Sequence, residues 1–489
     1  MNRALRRISL ASLIMFVALL INVNYLQGFQ SNSLASEPSN SRAFAQKYQY
    51  QRGSITTADG VTIAASKPVS GVYKYQRHYT DGPVYAPVTG YDSIFGSTGI
   101  EAAEDKLLSG TDPTLTVRNL IDLLTGKQQE GASVQLTINS KAQQAAWNAL
   151  RAMGKQGAVV AMNPQTGAIL AMASYPSYNP NVYTTFNGTQ LGNADKALRE
   201  NQSQPLLNRA INATYHPGST FKIVTSATAF GTGRYNPNSS VYAPNQLSLP
   251  QTTQKLINDS GEACGNGSGH VPLIDAFAQS CNTVFGAIGE HLGSAALKAQ
   301  AEKFGFNDSH LTIPLPVSPS AFPLINEADF TAYSAIGQFD DQVTPLQEAM
   351  LSAAIGDGGK LMKPYLVQTV KASDLTTVQQ ATPTVLSQAV SPSIAGQVKS
   401  MMAQVVQSPI GTAHGIPGIL SMSVAAKTGT AQSTINFGLD DAVFTAFSPV
   451  ANPNIAVGVV IKGGGYGAAA AGPIAVQVIK AYQAYLGRT

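Results

Sequence analysis

An uninterrupted apolar run dominates the start of the chain. It extends from about Ile8 to Leu26, and no charged residue occurs between Arg7 and Glu37. A run of this kind is long enough to cross a bilayer, which takes roughly 20 residues. Arg3, Arg6 and Arg7 precede it and are expected to stay cytoplasmic, which places the remainder outside. A cleaved signal peptide is the other reading, but the only tidy small-x-small site, Ala43 to Ala45, lies too far downstream. The pattern therefore predicts a cytoplasmic tail over 1–7, a single transmembrane anchor over 8–27, and an extracytoplasmic body on the cell membrane. With either reading the body works outside the cytoplasm.

Beyond the anchor the patterning changes several times. Ser31 to Ala45 is polar and reads as a solvated tether. Short β-like runs, "GSITTADGVTIAAS" and "VYKYQRHYT", then mix with "TLTVRNLIDLLTG", where Leu115, Leu120, Leu123 and Leu124 recur at helical spacing. The polar stretch from Gly126 to Gly131 makes a domain junction. These boundaries predict a smaller β-rich, membrane-proximal, non-catalytic domain over 28–131 and a larger domain over 132–489.

In the larger part, "SVQLTI" alternates like a strand, and "SKAQQAAWNALRAMGKQ" reads as a helix with Ala145, Leu150 and Met153 on one stripe. "GAVVAMNPQTGAILAMASYPS" has the composition of an antiparallel hairpin. A mostly helical middle includes "TPLQEAMLSAAIGDGG". Strand-like runs return in "VAAKTGTAQ", "AVFTAFSPV" and "NIAVGVVIKGG", before a last helix from about Pro473 to Leu486. Early strands, central helices and late strands predict an α+β fold, an antiparallel sheet flanked by helices.

Composition narrows the chemistry. Only 12% of the 489 residues are charged and the net charge is +4, with no dense Lys/Arg block. That argues against nucleic-acid binding. The six histidines are scattered, and there is no CxxC or HExxH, so neither a metal nor any other cofactor is expected. The two cysteines, Cys264 and Cys281, fit one disulfide in an oxidising compartment and equally fit two buried thiols.

Three short motifs carry the chemistry. In "HPGSTFK" a Pro-Gly turn exposes the start of a helix on which Ser219 and Lys222 are three apart, hence on one face. Serine needs a base to become a nucleophile, and lysine serves only when its pKa is lowered enough to leave it neutral. Taken alone, SxxK is more simply a helix cap followed by a surface lysine. "QSCNTVF" supplies Ser280, which can relay protons beside the lysine, and Asn282, whose amide can hold both lysine and substrate. "AAKTGTAQ" places Lys427, Thr428, Gly429 and Thr430 in a strand, where the glycine admits the close approach of another backbone. A peptide can add to such an edge while hydroxyls and ammonium hold its carboxylate. SxN and KTG are each common; all three in this order are not.

SxxK, Ser-x-Asn and KTG together form the signature of penicillin-binding proteins and serine β-lactamases. The chain resembles the class B penicillin-binding proteins, membrane-anchored transpeptidases that cross-link peptidoglycan, and its short single-anchor build is like that of the actinobacterial branch. "RGSI", "LTIN", "VTPLQEAM" and "IGDGG" carry the likeness beyond the motifs. Ala426 stands where glycine is common, and "DAVFTAF" lacks the tryptophan often found there.

The resemblance implies a penicillin-binding-protein fold and the following roles. Ser219 attacks the penultimate D-Ala carbonyl, Lys222 is its base, and Ser280 and Lys427 pass the proton to the leaving amine. Asn282, Thr428, Gly429 and Thr430 bind substrate, with backbone N–H groups of Ser219 and Thr430 as the oxyanion hole. It also favours a Cys264–Cys281 disulfide, since Cys281 is the middle residue of the second motif. Implied partners are peptidoglycan stem peptides ending in D-Ala-D-Ala, β-lactams, a membrane-embedded glycan polymerase and division proteins. A carboxypeptidase or β-lactamase, a β-lactam sensor and a catalytically silent division scaffold are the alternatives.

Overall fold

The computed structural model describes residues 3–30, 33, 47–116, 118, 124–126, 128–250, 252–259, 261, 263–265, 269–431 and 440–487. Helix α1 (Arg3–Gly28) contains the apolar run. Its stretch from Arg6 to Gly28 is long and apolar enough to cross a membrane, and none of it is buried against the protein. The polar tether over 31–45 lies almost wholly outside the described residues. So do Leu120 and Leu123 of the predicted leucine helix. Of its remaining leucines, Leu115 is buried in the turn Pro113–Leu115, whereas Leu124 is exposed.

Strands β1 (Ile55–Thr56), β2 (Thr62–Pro68) and β3 (Tyr75–Tyr79) form an antiparallel meander. β4 (Ser133–Leu136) pairs with β1 in parallel. Behind this sheet, Glu101 is fully buried and receives Arg52 Nε and Arg77 Nε, each at 2.6 Å, and the Tyr79 hydroxyl at 3.1 Å. Arg77 also donates to the Gly53 carbonyl at 2.7 Å.

After β4, helix α2 (Ser140–Met153) begins at Asn139, whose side chain accepts from the N–H groups of Lys141 and Ala142, and ends at the left-handed Gly154. Its buried stripe is Ala142, Ala146, Trp147 and Leu150; Ala145 sits half-buried at the edge. β5 (Gly157–Met162) and β6 (Ile169–Tyr175) form the expected hairpin. Then come α3 (Lys222–Gly231), α4 (Asn282–Leu292) and α5 (Pro345–Gly356). β7 (Val367–Lys371) and β8 (Thr377–Gln380) follow. After α6 (Pro392–Gln407), strands β9 (Ala425–Ala431), β10 (Asp441–Ser448) and β11 (Ile455–Ile461) lead into α7 (Gly467–Tyr485).

The central sheet is antiparallel with order β9-β10-β11-β5-β6. β5, β10 and β11 are buried at every residue, because α5 packs against β5, β10 and β11 while α2 and α7 also pack on the sheet. Such two-sided burial explains continuous apolar runs where a half-exposed strand would alternate. β9 is one edge of the sheet, and the turn Gly218–Phe221 packs beside it.

Two expectations change. β7 pairs with β4, so the membrane-proximal sheet has the order β8-β7-β4-β1-β2-β3 and draws strands from both sides of the predicted junction. Non-local pairing of this kind leaves no local signal. The last helix begins at Gly467, six residues before Pro473, which lies inside it. A side chain at 467 would collide with the carbonyls of Val443 and Gly429, so the helix start is packed directly on the edge of the sheet. That packing outweighs the loss of one N–H donor at the proline.

Candidate active site

Ser219 is held by a turn that only glycine permits. Gly218 has φ +55°, and a Cβ there would fall 2.6 Å from the Thr430 carbonyl oxygen of β9. Its N–H donates to the Gly337 carbonyl at 2.8 Å. Gly218–Phe221 is a 3₁₀ turn that runs into α3, so Ser219 sits one turn before the α-helix proper. In a 3₁₀ turn residues three apart eclipse, which aligns the Ser219 and Lys222 side chains more closely than an α-helix does. The Lys222 Nζ–Ser219 Oγ distance is 2.9 Å.

The second motif occupies a corner between the helix Leu273–Ala278 and α4. Ser280 takes φ +61° there, a left-handed conformation that costs a non-glycine residue of order 1 kcal/mol or more and is kept where the surroundings impose it. The Cys281 N–H donates to Ala276 O at 2.9 Å, and Cys281 is disulfide-bonded to Cys264 with a Cα–Cα separation of 6.1 Å. The strained corner turns the Ser280 carbonyl toward Lys222 Nζ at 2.7 Å and brings Asn282 Oδ1 to the same nitrogen at 2.7 Å. Ser280 Oγ lies 3.3 Å from Lys222 Nζ and 2.8 Å from Lys427 Nζ, so it stands between the two amines.

The third motif comes from the edge strand. Lys427 pairs in register with Thr445 of β10, and its Nζ also reaches the Thr428 carbonyl at 2.8 Å. A Cβ on Gly429 would stand 2.8 Å from the Pro217 carbonyl, which shows how closely β9 approaches the nucleophile turn. Thr428 Oγ1 is 2.6 Å from Thr412 Oγ1. Ser219, Ser280, Thr428 and Thr430 all open onto one cleft of about 410 Å³. The structure thus gathers all eight motif residues at one place.

The electrostatics follow from burial. Lys222 and Lys427 are both fully buried, and among the described residues no carboxylate touches either amine. Burial pushes Lys222 down to about 7, with Asp259 pulling weakly the other way. Burial pushes Lys427 well below its ordinary value too, and the neighbouring Lys222 adds to the fall. A neutral amine has two N–H bonds and one lone pair. The Ser280 carbonyl and Asn282 Oδ1 accept both hydrogens, so the lone pair of Lys222 is left facing Ser219 Oγ.

Two contributors carry no motif. Asp259 accepts from Asn282 Nδ2 at 2.8 Å, which fixes the amide with its oxygen toward Lys222. Thr412 holds the Thr428 hydroxyl. Asp259 lies in a loop and Thr412 follows α6; only tertiary packing brings them in, and neither spacing nor composition signals it.

A family model described as the penicillin binding protein transpeptidase domain matches residues 157–480, and one described as the penicillin binding protein A dimerisation domain matches 52–134. The peptidoglycan D,D-transpeptidase PbpA of Mycolicibacterium smegmatis is 40% identical across 98% of this chain and 99% of its own. The protein of the same name from Mycobacterium tuberculosis is 38% identical over the same shares. Among solved structures, penicillin-binding protein A from M. tuberculosis as a ceftriaxone acyl-enzyme complex superposes with a TM-score of 0.85. It is 37% identical and the match covers 89% of this chain and 99% of that one.

Proposed function

The chain belongs to the penicillin-binding protein transpeptidases, and from that premise we propose that it is a peptidoglycan D,D-transpeptidase acting through an acyl-enzyme on Ser219. The observation that carries the reading is the fully buried Lys222 amine 2.9 Å from Ser219 Oγ, lowered by burial to a pKa of about 7 so that its neutral form is available as a base near neutral pH.

Lys222 takes the Ser219 proton as Oγ attacks the penultimate D-Ala carbonyl of a stem peptide. The developing oxyanion is met by the N–H groups of Ser219 and Thr430. In an extended strand the N–H and C=O of one residue point to the same side. The Thr430 carbonyl faces Gly218 and accepts from Gln338 Nε2 at 3.3 Å, so its N–H also faces the nucleophile. Each such donor is worth roughly 3 kcal/mol. Collapse of the intermediate breaks the C–N bond, and the proton reaches the leaving D-Ala amine from Lys222 through Ser280 Oγ and Lys427. Asn282 positions the donor peptide, and Thr428 and Thr430 bind its terminal carboxylate along the β9 edge beside Gly429. An amine of a second stem then attacks the ester, with the same groups running in reverse, and forms the cross-link. A β-lactam takes the donor's place and leaves Ser219 acylated.

The same reading places α1 as a single-pass anchor with the cleft on the extracytoplasmic side, residues 28–131 as a pedestal, and a membrane glycan polymerase and division proteins as partners. The test is labelling with a fluorescent penicillin beside Ser219→Ala. Stable labelling of the wild type that disappears in the variant is expected. Rapid turnover of the label points to a β-lactamase, and no labelling of the wild type points to a scaffold.

A further inference from the structure

Beneath the nucleophile turn lies a carboxyl group that the mechanism above does not use. Glu348, on α5, is fully buried. Its Oε1 is 2.8 Å from Thr220 Oγ1, and its Oε2 has no hydrogen-bond partner among the described residues. Thr220 Oγ1 is also 2.8 Å from the Pro217 carbonyl oxygen. Thr220 directly follows Ser219, and Pro217 directly precedes the Gly218–Phe221 turn.

The hydrogen count decides the protonation state. A threonine hydroxyl has one hydrogen, and a carbonyl oxygen has none to give. Were Glu348 ionised, a single hydrogen would serve three oxygens, and a buried anion would keep one oxygen wholly unsolvated. Such a group neutralises instead. With a proton on Glu348, both contacts are made: Glu348 donates to Thr220 Oγ1, and Thr220 donates to Pro217 O.

We propose that Glu348 is a neutral carboxylic acid that buttresses the nucleophile turn through Thr220, and is thereby a positioning residue for acylation at Ser219. The backbone reinforces the placement. Thr445 Oγ1 donates to the Glu348 carbonyl at 2.5 Å, and Thr445 is the register partner of Lys427. Gly458 of β11 lets the helix settle, since a Cβ there would stand 2.8 Å from Glu348 Cβ. Residue 348 therefore joins the turn bearing Ser219, through its carboxyl, to the strand pair bearing Lys427, through its backbone carbonyl.

The charged groups on the packed elements are engaged elsewhere. Asp441 of β10 accepts from the Gly463 N–H, Lys399 of α6 donates to the Gly356 carbonyl, Lys360 pairs with Asp357, and Arg209 donates to the carbonyls of Ser203 and Gln204. Lys222, just past the turn, points to Ser219 and Asn282. Burial raises Glu348 to about 8, and only the Thr220 hydroxyl opposes it.

This inference rests on Ser219 being the nucleophile, so its test reads stability as well as acylation. Thermal unfolding and the rate of labelling by a fluorescent penicillin are followed from pH 5 to pH 9.5 for the wild type, Glu348→Gln, Glu348→Ala and Thr220→Val. A carboxyl with a raised folded pKa contributes stability in full below its unfolded value and loses it as pH rises through the folded value. The wild type is therefore expected to lose melting temperature relative to Glu348→Gln between pH 5 and 8, whether or not penicillin binds. Glutamine donates the same hydrogen bond without ionising. It is expected to keep the neutral-pH labelling rate within about threefold and to abolish the alkaline decline that the wild type shows above about pH 8. Glu348→Ala and Thr220→Val are expected to label at least tenfold more slowly at every pH. Melting curves of wild type and Glu348→Gln that stay parallel, or an alkaline decline that survives in Glu348→Gln, overturn the proposal. Loss of labelling in all four proteins with diverging melting curves overturns the Ser219 reading and leaves the neutral acid standing.

Discussion

Buried ionisable groups in the N-terminal domain and in the cleft meet opposite fates. Around Glu101, three ionisable side chains lie within hydrogen-bond reach, and opposite charges face one another. Burial pushes the Glu101 carboxyl up, but Arg77 and Arg52 outweigh it and hold it below its ordinary value, so the charge survives. In the cleft two lysines share Ser280 Oγ, and among the described residues no carboxylate is in contact with either. Burial there goes unopposed by contact with an opposite charge among the described residues, and both amines are held far below the ordinary lysine value. One arrangement yields a rigid structural joint, the other a base that functions at neutral pH. The difference lies in the partner, since Glu101, Lys222 and Lys427 are all fully buried.

The largest test of this contrast removes the base. Lys222→Ala is expected to slow acylation by a β-lactam by about 10²–10⁴-fold, the usual contribution of a positioned general base, while its melting temperature stays near that of wild type. A loss below tenfold would mean another group takes the proton. The mirror experiment is Glu101→Gln, which leaves two buried guanidinium groups without their anion. Breaking a buried pair from one side costs about 3–5 kcal/mol, read as a fall in the unfolding midpoint, and acylation of the protein that remains folded should be little changed. An unchanged midpoint would place the network among ion pairs of no structural consequence.

The smallest effect is the most discriminating. Asp259 touches Asn282 and not the lysine, yet its charge favours protonated Lys222. Asp259→Asn is expected to move the acid limb of the acylation profile toward lower pH and to slow acylation only modestly. A shift to higher pH would contradict the assigned sign.

The sequence made the reacting groups legible because their geometry is partly local. Ser219 and Lys222 lie on one turn, Ser280 and Asn282 flank one corner, and Lys427 to Thr430 are consecutive in one strand. The hairpin of β5 and β6 was readable for the same reason. What stayed hidden depends on contacts across long stretches of chain. The pairing of β4 with β7 spans most of the larger domain. Glu348 reads as one polar residue in an apolar helix until the turn bearing Thr220 is laid over it. The start of α7 at Gly467 is set by the carbonyls of Val443 and Gly429, which no helix-start rule takes into account.

The central claim is that burial lowers the amine beside Ser219 to a pKa of about 7, so that a large share of it is uncharged at neutral pH. The pH dependence of the second-order acylation rate between pH 5 and 9 tests it most directly. A rise of about tenfold per pH unit that bends over at an apparent pKa of about 7 is the predicted result. A rate that still climbs tenfold per unit beyond pH 8, as an ordinary lysine requires, would contradict it, as would a profile flat from pH 5.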